Sequence, residues 1–584
     1  MLRTGTEKRG VCRAFVFAGI GLVALTVSLC GSSSRADQPD ANLQAQLAAG
    51  EFAPAVAAAQ NVANPQQRDA ALAQVAAAQA AAGAPAAAVK TVARVGDDRV
   101  RANILAAQGL PAQQGQGQGA NNPNGADFTA LKDLITNTVS QKSWLDNGGT
   151  GTISDFPMGV WVDPNGLLRP LMREARTGDL AAMRTANQHS QGQEDVRRNS
   201  PLRMISLTRL EKQMQLNAAL GQNPDEAMKY LAGLRRIEYV FVYPDTGDLV
   251  IAGPAGDWTV GPENRIVSVD TGDPVVRLDD LVVVFRHMMS SRDAFLGCKI
   301  EPRQEALKRI QEFQARWNGR AIPAGDAARK AWCEELRAAV GKQDILMLGG
   351  LDPETRTART VVEADYRMKL IGMGLEPGVP GVTSYMSLIK SPPRSIDVLR
   401  WWFTLNYDSI QTSQDHLAFN IRGQGVKVES ENEHLDAQGQ QIHTGDSEPL
   451  NRQFVESFTK HFDQLCAKYP IYAELRNICD LALTASLLRE EGLTDKVGWH
   501  MAYFGDPQAF AVERGAAPKE TDTVVNYRVL SSRLFVAQVN GGVEVRPNEL
   551  VSRKAIQVES YPQLQDKRPQ NAAKPQTGER WWWD

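Results

Sequence analysis

Hydrophobic spacing divides the chain into stretches of different character. Between residues 41 and 107 small apolar residues dominate, and the pattern recurs every 33 positions: Gly50 answers Gly83, Val56 answers Val89, Arg68 answers Arg101, and Leu72 answers Leu105. Alanine lets helices approach closely, and the two glycines suit helix ends, so paired helices are expected here. Two such units bury little core by themselves. The array must therefore lean on the rest of the chain or on another chain.

Further along, Phe128, Leu131, Leu134, Ile135 and Val139 keep helical spacing, and helical segments continue to about 234, including Arg203 to Leu220. Period-two alternation then takes over. Tyr239–Tyr243 and Leu249–Ala252 flank Pro244-Asp245-Thr246-Gly247-Asp248, which predicts a hairpin. Ile266–Val269 and Val275–Leu278 repeat the device around Asp270-Thr271-Gly272-Asp273. Leu281 to Met289 reads as strand or short buried helix, and Thr360 to Leu370 is equally open. Amphipathic helix covers 301–340 with a break at Pro323-Ala324-Gly325, and Ile345 to Leu348 is a strand. Strands resume over Arg400 to Val428, helix over Phe454 to Arg489 with an interruption at Pro470, and strands over Val524 to Val545.

Residues 1–36 carry a different pattern: Arg3, Lys8, Arg9 and Arg13 precede an apolar run from Ala14 to Leu29, and Ser34-Arg35-Ala36 offers small residues before a cut. This reads as a secretory signal, with an uncleaved anchor as the rival, because 16 helical residues rise only about 24 Å. A lipoprotein cysteine at Cys30 is disfavoured by the preceding Leu29. The chain of 584 residues has net charge −3, which becomes −7 without 1–36, so nucleic acid is not an expected partner. No transmembrane domain is expected once the signal is cleaved, and the protein is expected to be periplasmic or secreted.

The expected class is α+β multidomain. Its parts are a signal peptide at 1–36, tetratricopeptide-like helical hairpins at 37–107, and a flexible Gln/Gly linker at 108–125. A helical then β-hairpin domain at 126–295, a mixed α/β core at 296–560 and a disordered tail at 561–584 complete it.

The segment from Asp127-Phe128 through Trp144 to Gly151-Thr152-Ile153 resembles one found in exported planctomycete proteins. Ala252-Gly253-Pro254-Ala255-Gly256-Asp257-Trp258, Leu278-Asp279-Asp280-Leu281, Val362 to Lys369 and Phe419 to Val426 are similar to a family of secreted planctomycete proteins carrying a domain of unknown function. The likeness spans roughly 126–500. It implies export and carries no activity, cofactor or catalytic residue with it.

Candidate chemistry is sparse. The glycines at 148, 149 and 151 lack a following Walker lysine, and no GxSxG elbow occurs, so no cofactor is expected. Asp365 and Lys369, within the run Glu363-Ala364-Asp365-Tyr366-Arg367-Met368-Lys369, are the candidate catalytic pair, and mutual neutralisation is the alternative. Glu433, His434, Asp436 and His443 are candidate metal ligands, set against a solvated strand and turn. Cys298, Cys333, Cys466 and Cys479 could form two disulfides, Cys298 with Cys333 and Cys466 with Cys479, or stand as buried thiols. Trp581, Trp582 and Trp583 form either a partner-docking tail or a flap folded onto the protein's own surface. The sequence thus suggests an exported, non-catalytic envelope interaction or structural protein with an envelope protein or polymer as partner. A periplasmic hydrolase or polymer-modifying enzyme with a site in 350–450 is the alternative.

Overall fold

A computed structural model describes residues 41–48, 52–82, 84–107, 152–156, 159–163, 169–171, 194–317, 320, 325–390, 397–435, 441–530, 533–552, 554–573 and 580–584. The expected signal, the linker and the glycine turn at 148–151 lie outside them, as do Gly50 and Gly83.

Helices Ala41–Ala48, Phe52–Gln60, Pro65–Ala81, Pro85–Val92 and Asp98–Ala107 form the N-terminal part. Pro65 stands at the start of its helix, and Asn64 caps it by accepting from the Gln66 and Gln67 amides at 2.9 and 3.1 Å. Leu72, Val75, Val89 and Val92 are fully or almost fully buried, and Leu216 and Ala219 from a later helix join their cluster. The array therefore leans on the body of the chain. Arg101 is buried where it donates to Gln215 at 2.8 Å.

The strands number twenty among the described residues. β1 (Thr152–Phe156), β2 (Gly159–Asp163) and β3 (Arg169–Leu171) make a small antiparallel sheet. Next in chain order come β4 (Ser200–Ser206), β5 (Tyr239–Tyr243), β6 (Asp248–Ala255), β7 (Trp258–Val260), β8 (Ile266–Ser268), β9 (Leu296–Pro302) and β10 (Lys342–Leu348). They are followed by β11 (Asp397–Asn406), β12 (Ser409–Thr412), β13 (Ala418–Arg422), β14 (Gly425–Leu435) and β15 (Gln441–His443). The last are β16 (Glu520–Asp522), β17 (Val524–Leu530), β18 (Arg533–Val545), β19 (Ile556–Val558) and β20 (Trp582–Trp583).

Two large sheets organise the body. One runs β15-β14-β11-β18-β9-β10-β16 with β17 also paired to β18; the other runs β19-β12-β13-β5-β6-β4-β20. Between 397 and 435 the chain passes from one sheet to the other and back. The seven-stranded sheet draws strands from both sides of residue 295, so the expected boundary at 295/296 does not separate two units. The class is α+β.

Alternation along β5 explains how the second sheet is covered. Val240 and Val242 point into the main core, while Phe241 and Tyr243 belong to a separate cluster with Leu564 of helix Gln563–Gln570. The tail expected to be disordered from 561 therefore covers a sheet face. At its end β20 pairs with β4, Trp582 opposite Ile205 and Trp583 opposite Met204.

Other expectations shift by a few residues. Arg203 lies in β4, and the helix begins after it, at Leu207. The second expected hairpin shrinks to a turn with a single antiparallel bridge, Val267 to Pro274, and the Val275 amide donates to the Ile266 carbonyl at 3.1 Å. The strand partner of β8 is β7, and Leu278 opens helix Leu278–Met288, settling the open choice at 281–289 as helix. Thr360 to Leu370 belongs to helix Arg356–Gly372, capped by Thr355 and uninterrupted by proline. The long C-terminal helical region is Pro449–Lys460, Phe462–Lys468 and Pro470–Glu490; the expected interruption falls at Tyr469, with Pro470 opening the helix that follows, and a further break falls at His461. That helix is buried at every residue from Ile471 to Leu488 and forms the middle of the core. No helix among the described residues is long and apolar enough to cross a membrane.

Candidate functional site

Helix Arg356–Gly372 carries the charged centre. Arg356, Glu363 and Arg367 stand seven and four residues apart, so they fall on one stripe. Facing them are Glu474 from helix Pro470–Glu490 and the turn between β7 and β8. In that turn Glu263 and Asn264 adopt φ of 56° and 57°, left-handed values costing roughly 1–2 kcal/mol per residue. Across this turn Glu263 stays partly exposed while Arg265 is buried.

Arg265 pairs with both Glu363 and Glu474, and Arg356 pairs with Glu474 and, at 2.5 Å, with Asp280. Thr357 adds a hydroxyl to Asp280 at 2.9 Å. All six are buried. Burial alone would raise the Glu474 carboxyl, but Arg265 and Arg356 hold it below the usual carboxylate range. Arg359, on the same helix, is pushed down to about 10 by burial and by Arg356 beside it.

Above this network lies a cleft of about 460 Å³, lined among others by Glu263, Arg367, Glu376, Lys468 and Tyr469. Arg367 donates to Glu263 at 2.9 Å and stands 5.1 Å from the Tyr469 ring centre. Lys468 donates to the Pro377 and Gly378 carbonyls at 2.9 and 2.7 Å, and the Tyr469 hydroxyl donates to Pro377 at 2.7 Å. Burial tends to raise Glu263, yet Arg367 and Arg265 keep its carboxyl below the ordinary range, so it remains ionised near neutrality. The cleft thus offers an aromatic surface, two prolines and fixed charges of both signs. Such a surface suits holding a ligand more than moving a proton.

Asp365 and Lys369 lie on the opposite stripe of the same helix, away from the cleft. They pair at 2.7 Å with both side chains fully buried. Burial raises the Asp365 carboxyl, with Lys369 opposing it. A Cβ on Gly541 would fall 2.0 Å from the Trp401 carbonyl oxygen and 2.8 Å from the Asp365 carboxylate, so the glycine permits this close approach. As a catalytic pair opening onto a cleft the two residues are misplaced: helical geometry turns them into the core.

The metal candidates separate. Glu433 and His443 meet, joined by Glu431; His434 sits in β14 opposite Ile442, and Asp436 lies outside the described residues. The four cysteines are free and buried, so of the two readings open in the sequence the structure has buried thiols and not disulfides. Cys298 belongs to the main core, whereas Cys333 lies in a cluster with Phe313, Trp332 and Leu336. Burial pushes the Cys333 and Cys466 thiols up to about 11 and about 12, and those of Cys298 and Cys479 higher. Such thiols are unreactive. Trp581 and Trp582 are each 7% exposed, so the tail docks on its own chain.

Glu263, Arg265, Arg356 and Glu474 escaped the sequence reading. A helical reading of 356–372 would have aligned Arg356 with Glu363 and Arg367; Arg265 and Glu474 arrive through tertiary contacts that no local pattern announces.

No curated protein and no solved structure matches the chain. Residues 298–385 match the family described as a protein of unknown function (DUF1598). That span holds most of β9, all of β10 and the whole charged helix, while Glu263, Arg265, Lys468, Tyr469 and Glu474 lie outside it. The chain carries a DUF1598 domain whose charged helix forms one wall of the cleft.

Proposed function

We propose that the chain is an exported, non-catalytic protein of the cell envelope, an interaction or structural component of the kind its planctomycete likeness suggests. Its cleft around Tyr469 receives an envelope protein or polymer. The carrying observation is the division of labour along helix Arg356–Gly372. Asp365 and Lys369, the pair best placed by type for chemistry, are closed in on each other, while the stripe facing the cleft holds Arg367 fixed by Glu263. The N-terminal signal pattern supports the location.

A photo-cross-linking residue placed at Lys468, which is exposed, tests the reading in intact cells. The expected result is a recurrent adduct with one envelope component, absent when the same residue is placed at Tyr561, which is 75% exposed on another part of the surface. Adducts that do not differ between the two positions would contradict it. Fractionation should find the chain in the periplasm or medium, starting at Asp37.

A further inference from the structure

We infer that Glu431, Glu433 and His443 bind a divalent transition metal, zinc first among them, at the β14–β15 corner of the eight-stranded sheet. Alternation along β14 puts Glu431 and Glu433 on one face, and the register pairs Glu433 with His443 across the strands. The His443 Nδ1 lies 3.0 Å from Glu431 Oε1 and 2.8 Å from Glu433 Oε1. Tetrahedral metal–ligand bonds of about 2.0–2.2 Å set donor atoms about 3.3–3.6 Å apart. The three donors all lie within 4.8 Å of one another, drawn together by the His443 hydrogen bond, and part by roughly half an ångström to share one ion. One imidazole with two carboxylates is a borderline-to-hard donor set that suits zinc, and water can complete the coordination.

The corner is built around these atoms. Asn540 donates to Glu433 Oε2 at 2.8 Å and is itself held by Gln343 at 2.6 Å. Arg400 and the Gly445 amide donate to Glu431 at 2.8 and 3.1 Å. Such outer contacts orient carboxylates for a metal. Both carboxylates are buried, with side-chain exposures of 7% and 0%, whereas His443 is 42% exposed and leaves a path from solvent. Arg400 is shared with Glu544 at 3.1 Å, so with a neutral imidazole the corner keeps excess negative charge. A dication matches that charge. The inference stands apart from the docking role, since it is read on the purified chain without a partner.

Zinc chloride titrated at pH 7.5 into the chelator-treated, gel-filtered chain, with metal content measured afterwards, tests it. One zinc per chain is expected. His443→Ala and Glu433→Gln should each weaken binding at least about tenfold, and Asn540→Ala by about tenfold through its outer contact. Because His443 is half exposed, its variant should keep the parent's melting curve. A folded chain that retains no zinc, or a His443→Ala variant that retains as much as the parent, would overturn the site.

Discussion

At the scale of single residues, the buried pair of Asp365 and Lys369 shows how burial decides a side chain's role. An ion pair without solvent gains strong attraction but loses two hydration shells, so its net worth over a hydrophobic pair is small. Breaking it from one side is another matter. Lys369→Met should cost about 3–5 kcal/mol in urea unfolding, because Asp365 is left uncompensated in the core. Asp365→Leu combined with Lys369→Met should recover most of that loss. A single variant as stable as the parent would show that the pair is not sealed. Gly541→Ala should also destabilise, by about 3 kcal/mol, since its methyl meets the Trp401 backbone.

Glu211, on helix Leu207–Ala219, stands where that helix meets the N-terminal array. It is buried and accepts from the Tyr503 and Phe504 amides at 2.8 and 2.6 Å and from the Trp499 indole. Burial outweighs these donors and pushes its carboxyl from 4.5 up to about 7. The folded chain therefore holds this proton more tightly than the unfolded chain does. The contribution is fully present below about 4.5 and is lost as pH rises towards 7, amounting to about 3 kcal/mol. Denaturant titrations from pH 4 to 8 should show that slope in the parent and lack it in Glu211→Gln. Equal slopes would contradict the assignment.

At the scale of elements, the C-terminal strand is the clearest surprise. Arg203, fully buried, pairs with the Asp584 side chain and stands 4.5 Å from the Trp582 ring centre. Arg209 lies 5.7 Å from the Trp583 ring centre. The Trp583 indole donates to the Asn571 carbonyl at 2.8 Å, tying strand to helix. Removing residues 580–584 would leave β4 as an edge strand paired only with β6 and leave Arg203 short of its carboxylate. Loss of about 3–5 kcal/mol is expected, visible as a lower melting temperature. An unchanged melting temperature would restore the reading of a free docking tail.

Element types with a strong local period were legible. The hairpin of β5 and β6 follows from Asp and Gly at its bend, and helix Asp326–Val340 from its apolar stripe after Gly325. Helix Arg356–Gly372 stayed ambiguous because burial on nearly all sides erases the amphipathic contrast that marks a helix. Arg203 was read as helical because the apolar run at 202–207 spans a strand and the start of the next helix. The tail looked disordered because its polar residues give no period; only its cover over Phe241 and Tyr243 orders it.

At the scale of the whole molecule, two sheets that exchange strands and a fully buried central helix make one body with the N-terminal helices leaning on it. Little of the site was legible in advance. Asp365, Lys369, Glu433 and His443 were found by type. The groups that surround them come from distant positions: Asn540 holds Glu433, and Gly541 leaves room for Asp365, both from β18.

The central claim is that one stripe of the charged helix is sealed while the other opens onto a docking cleft. Lysine acylation followed by peptide mass spectrometry, run on the purified chain and on intact cells, tests both halves at once. Lys369 should stay unlabelled in both settings, and Lys468 should label readily when purified and be protected in cells. Rapid labelling of Lys369, or equal labelling of Lys468 in the two settings, would contradict the account.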